Sequence, residues 1–180
     1  MRVARRLTKE ELATKSTLRR CKVKGAVFTL LLVVAIAATL GLVFFNYQID
    51  RQVNGWKTRA QVSSEPNDML AWMTNVKEGM ERWGMTSGYA ALIFRTPKND
   101  MSLIYKTLIN HVEQAQRLTT MDRLSPEYQT GLDNLRGSIR ELDLQANYFW
   151  LIHDGLLLFA VTVVLWILVV GWLIVWAITV

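Results

Sequence analysis

Cysteine and histidine are nearly absent. Cys21 is the sole thiol, and His111 and His153 are the only imidazoles among 180 residues. A single thiol excludes an internal disulfide framework. So small a stock of nitrogen and sulfur donors excludes a zinc or copper centre, which needs several converging ligands. Proline is also scarce, at Pro66, Pro97 and Pro126, so long stretches are free to be helical. No G-x-G-x-x-G, Walker sequence, H-E-x-x-H, C-x-x-C or G-x-S-x-G element occurs. The chain is accordingly read as non-enzymatic. No catalytic, cofactor-binding or metal-ligating residue is assigned, and no cofactor is expected.

Charge is missing from two long segments. Ala26–Phe45 reads AVFTLLLVVAIAATLGLVFF, and Gly155–Val180 reads GLLLFAVTVVLWILVVGWLIVWAITV. As helices at 1.5 Å per residue they extend roughly 30 Å and 39 Å, enough to cross a bilayer core. Two such runs exceed what a domain this small can bury. The expected class is an all-α membrane protein with two transmembrane helices flanking an extracytoplasmic helical bundle of about four helices. Its parts are a basic cytoplasmic tail (1–25), a first span (26–45), an outer helical domain (46–150) and a second span (151–180). Ala35-Ile36-Ala37 loosely matches a signal-peptidase site, but the apolar run continues past it and fits a retained anchor better.

The net charge of +6 is unevenly distributed. Nine basic residues, from Arg2 to Lys24, stand before the first span against only Glu10 and Glu11. Between Asn46 and Trp150 twelve basic residues face twelve acidic ones. The positive-inside rule therefore places the tail in the cytoplasm. Two spans return Val180 to that side, with no cytoplasmic domain expected behind it. The tail suits anionic lipid headgroups. With the outer region neutral, nucleic-acid binding is not expected. Cys21 is read as an incidental thiol.

Four helical stretches are predicted between the spans. Ile49, Val53, Trp56 and Ala60 form one stripe, and Met69, Met73, Val76, Met80 and Trp83 a second. Ser64 is a candidate cap for the second stretch, with Pro66 in its first turn. Gly84 and Gly88 then interrupt, and Tyr89–Phe94 fits either helix or an apolar loop pressed on the bundle or membrane. Asn99 or Asp100 starts a third stretch with Met101, Ile104, Leu108, Val112, Ala115 and Leu118. Ser125-Pro126 starts a fourth, with Tyr128, Leu132, Leu135, Ile139, Leu142, Ala146 and Phe149. It is predicted to run unbroken into the second span. The plan resembles the periplasmic four-helix sensor domains of bacterial chemoreceptors and sensor kinases, although no shared motif accompanies it. The expected location is the bacterial cytoplasmic (inner) membrane.

Polar residues beside the spans are the main candidates for a special role. His153 and Asp154 precede the second span, and Asp50 and Arg51 follow the first. They are read as interface markers beside Tyr47, Tyr148 and Trp150, with pairing or ligand contact as the alternative. His111, near Glu113, is read as structural or surface. Met69, Met73, Met80 and Met85 suit either an irregular core or a docking face. Within the spans, Ala37 and Gly41 form a small-x-x-x-small pair, while Gly171 lies near Trp166, Trp172 and Trp176. The leading expectation is a non-catalytic accessory or structural subunit of a larger membrane complex. Its partners would be other integral membrane chains or a second copy of itself. A four-helix sensor or adaptor and a homo-oligomeric pore are the alternatives.

Overall fold

A computed structural model describes the backbone of residues 9–179 and the side chains of residues 23–178. The tail's side chains through Lys22, and with them the Cys21 thiol and the expected lipid contact, lie outside the described residues. The described chain is helical, and its only strand-like feature is an isolated bridge between Tyr89 and Asp100. Seven α-helices follow in order: α1 (Lys9–Ile49), α2 (Gly55–Val62), α3 (Pro66–Arg82), α4 (Met101–Thr119), α5 (Pro126–Glu141), α6 (Ala146–Trp150) and α7 (Leu156–Thr179). Two π-helical segments, Asp50–Asn54 and Leu151–Gly155, sit after α1 and before α7. The chain forms two compact units, one of Met1–Gly41 with Leu158–Val180 and one of Leu42–Leu157.

The first unit holds the apolar lengths of α1 and α7. Both helices are long and apolar enough to cross a membrane, and few of their described residues are buried. Ala35, Thr162 and Val169 are the buried positions there among the described residues. A polar contact joins the two helices: the Trp166 indole N–H donates to Thr39 Oγ1 at 3.0 Å, while the Thr39 hydroxyl donates to Ala35 O at 2.8 Å. The small pair expected to pack divides. Gly41 faces Leu158, where a Cβ would sit at 3.9 Å, whereas Ala37 and Gly171 point outward.

The second unit is a ring of four helices. Each of α2, α3, α4 and α5 packs on its neighbour in sequence, and α5 closes on α2. The predicted stripes supply the core: Ile49, Val53 and Ala60, then Met69, Met73, Val76 and Met80, then the α4 and α5 sets. The methionines thus serve as core, and Met85 joins them. At one end Arg123 pairs with Glu65 at 2.8 Å, tying together the turns before α3 and α5. Lower down, the Arg136 guanidinium donates to Ser63 O at 3.0 and 2.8 Å. Ser125 caps α5, accepting from Tyr128 N at 3.1 Å, and Asp100 caps α4, accepting from Ser102 N at 2.9 Å. Ser64 does not cap α3. Glu65 holds that position without a side-chain bond, and Pro66 supplies the helical φ of the first turn.

The fourth helix is not continuous. It ends at Glu141, and Leu142–Gln145 is irregular, with Gln145 left-handed at φ 46°. Leu142, Leu144 and Ala146 are all buried. Residues two apart lie on opposite sides of a helix, so burying all three in one core requires an extended step. The Leu142 carbonyl freed by the break accepts from the Lys57 ammonium. Helix resumes at Ala146 and continues through the π segment into α7.

The π segment after α1 explains a glycine. A Cβ on Gly79 of α3 would lie far inside 3.0 Å of the Gln52 carbonyl oxygen, a backbone atom. The widened turn presses its backbone on α3, and only Gly fits opposite it. Gly79→Ala is expected to destabilise the bundle by about 1–3 kcal/mol through this overpacking. Gly137, on the open side of α5, has nothing within 4 Å of the place a Cβ would occupy. Gly137→Ala should stabilise by about 0.5–1 kcal/mol through helix propensity. Thermal unfolding of the two variants, compared with the parent chain, checks the opposite signs.

Candidate functional site

The chain enters and leaves the ring of helices at one end. α1 rises into it, α3 descends, α4 rises and α5 descends, so the segment Trp83–Asp100 and the break at Leu142–Gln145 share the end from which α1 and α7 depart. Polar side chains are concentrated there. Gln52 Oε1 accepts from the Trp83 indole at 3.1 Å and from Arg82 at 3.5 Å. Gln145 Nε2 donates to Lys98 O at 3.3 Å, joining the start of α6 to the α3–α4 connection.

The polar candidates beside the two long apolar helices do not form one cluster. Asp50 is exposed and accepts from Asn54 Nδ2 at 3.0 Å. His153 stacks on Phe149 with ring centroids 4.0 Å apart, and its Nδ1 lies 3.0 Å from Phe149 O. Arg51 and Asp154 are exposed, and no ion pair among the described residues joins any of the four. Asp50 and His153 use their polar atoms locally, at the two π segments.

Two clefts flank this end. One, of about 320 Å³, lies where the first π segment meets α3, with Arg51, Arg82, Asn75 and Glu78 in its wall. The other is larger, about 610 Å³, between α4 and the α5–α6 break. Thr107, His111, Ser138, Glu141, Asp143 and Gln145 contribute to it. His111 is 7% exposed, and its buried Nδ1 has no hydrogen-bond partner within the chain. Burial pushes the His111 pKa below its ordinary value, outweighing the smaller opposing effect of Gln114, so the ring is neutral at physiological pH. His111 is a buried residue of the bundle that also lines the larger cleft. Glu113 is exposed and takes no part. Among the described residues no group of three metal-ligating side chains converges.

Sequence reasoning missed the importance of Gly88. It has φ 94°, and a Cβ there would lie 3.5 Å from both His153 Nε2 and Phe149. The left-handed conformation favours glycine, while the 3.5 Å separations are ordinary contact. The signal was present as two glycines, Gly84 and Gly88, punctuating an apolar run.

The buried imidazole has a consequence for stability. Its depressed pKa means that the unfolded chain takes up the proton first as pH falls. His111 thus contributes stability that is complete above its unfolded pKa near 6.5 and is lost as pH drops toward the folded value. Melting temperature should fall between pH 7.5 and pH 5, and His111→Gln should flatten that slope. An unchanged slope in the variant would assign the pH dependence to other groups.

Comparison of the chain with protein-family models, with curated proteins and with solved structures finds no match. Function has to be read from the chain's own geometry.

Proposed function

We propose that the chain is an integral membrane protein whose helical bundle stands outside the cytoplasm and that it serves as a non-catalytic subunit of a larger membrane assembly. The observation that carries this reading is how the polar side chains are used. Arg136 clamps Ser63 O, Arg82 and Trp83 hold Gln52, Lys57 takes Leu142 O and Tyr105 donates to Glu81. These groups hold helices in place, which suits a scaffold. The apolar lengths of α1 and α7 support the membrane half of the reading, because charge-free helical stretches with few buried residues need lipid or other helices around them. The tail's positive charge supports a cytoplasmic N-terminus. Outward-facing Ala37 and Gly171 offer places where a neighbouring helix can approach closely.

A second reading has one specific observation behind it. His111, whose buried Nδ1 has no partner, lines a roomy cleft of mixed polar and apolar wall, which suits a bundle that senses a small ligand and signals through a partner.

Extraction in native lipid discs, followed by quantitative mass spectrometry, tests the leading reading. At least one other integral membrane chain should be recovered in near-stoichiometric yield. Ala37→Leu should lower that yield relative to inserted protein, because it keeps the span apolar while blocking close approach. A monodisperse monomer with no companion chain would contradict the assembly role.

A further inference from the structure

The segment between α3 and α4 presents an apolar tip that nothing in the chain covers. Leu92, Ile93 and Phe94 are consecutive and exposed, Ile93 and Phe94 each at 80%. Soluble surfaces scatter single apolar residues, but a contiguous tip of large ones marks an interaction site. This tip is not a loose strand of chain. Ala90 N donates to Asn99 O at 2.8 Å and Met101 N to Gly88 O at 2.9 Å, closing its base. Asn99 Nδ2 donates to Phe94 O at 2.7 Å, and Asn99 Oδ1 accepts from Thr96 N at 2.9 Å, fixing its returning limb. The backbone is thus shaped to hold these side chains outward.

Its position identifies what covers it. The base of the loop packs through Gly88 against Phe149 and His153, one turn before the charge-free run of α7 begins. Gln145, bonded to Lys98 O, fastens the other limb to the start of α6. The loop therefore belongs to the end of the bundle from which both apolar helices leave. Its composition fits the headgroup region of a bilayer: an apolar tip followed by Arg95 and Lys98, both exposed. Arg95 lies over the Tyr89 ring at 5.2 Å, leaving an aromatic and a cation side by side at the base. Aromatic and basic residues gather at that depth of a membrane.

We propose that Leu92, Ile93 and Phe94 dip into the outer leaflet of the membrane that the two apolar helices cross, giving the bundle a third attachment. The inference rests on the membrane reading above. With α1 and α7 as its only tethers, the bundle could tilt about the line joining them. A third contact would restrain that tilt, which a scaffold needs if it is to present the same face to a partner.

The test uses the full chain, with Cys21→Ser, in lipid discs of phosphatidylcholine and phosphatidylglycerol that contain no other protein. A nitroxide is placed at one of three positions: Ile93→Cys in the loop, Leu124→Cys at the far end of the bundle, or Ile174→Cys on exposed α7. Accessibility to oxygen, which concentrates in lipid, is compared with accessibility to a water-soluble nickel chelate. The proposal predicts that oxygen dominates at 93 and 174 and that the chelate dominates at 124. Chelate dominance at 93 with oxygen dominance at 174 would overturn the loop contact alone. Chelate dominance at 174 would overturn the membrane reading beneath it. An immobilised probe at 93 shielded from both reagents would show that protein covers the tip, and would equally overturn a lipid contact.

Discussion

Long helical stretches without charge need surroundings that tolerate an apolar surface, and this chain has two of them joined by a domain that does not. Few residues in the apolar lengths of α1 and α7 are buried among the described residues. Both depart from the same end of the helical ring, so the ring must contain an even number of helices. The four of the bundle satisfy that parity with short distal turns. It follows that every remaining irregular feature falls at the proximal end: the two π segments, the break after α5 and the α3–α4 connection.

That end is held by backbone fit as much as by side chains. The π segment Asp50–Asn54 brings the Gln52 carbonyl onto Gly79, while the Gln52 side chain takes Trp83 and Arg82. The second π segment places Gly155 against the Trp150 ring, where a Cβ would come within 3.1 Å of three ring atoms. A π turn inserts one extra residue into a helix and so rotates everything after it. In a bilayer, such segments keep their backbone hydrogen bonds closed.

The helical stripes were legible because burial repeats every three or four residues and turn residues separate the stripes. Ser125-Pro126 was legible as a cap for the same local reason, and Asp100 as one of two candidates beside Asn99. The break at Leu142–Gln145 was not, because Leu142, Ala146 and Phe149 keep helical spacing and mask the competing burial of Leu144. Gly79 was equally hidden. Its need arises from a carbonyl on another helix, 27 positions away in sequence, and local pattern carries no trace of it. In the candidate sites, residue types pointed to His153, Asp154, Asp50 and Arg51 as a group, but helix phase separates their polar atoms. His111 looked ordinary because the loss of its partner depends on three-dimensional burial. The Tyr89–Phe94 run stayed ambiguous until its base was seen to close through Asn99 and Gly88.

The central claim is that the bundle and the N-terminal tail lie on opposite sides of a membrane. Labelling with a membrane-impermeant maleimide in intact cells tests it most directly. One chain carries the native Cys21 alone, and a second carries Leu124→Cys in a Cys21→Ser background; Leu124 is 92% exposed at the far turn. The account predicts that Leu124→Cys is labelled while the cytoplasmic membrane is intact and that Cys21 is labelled only after that membrane is broken. Labelling of both positions in intact cells, or of neither until lysis, would contradict it.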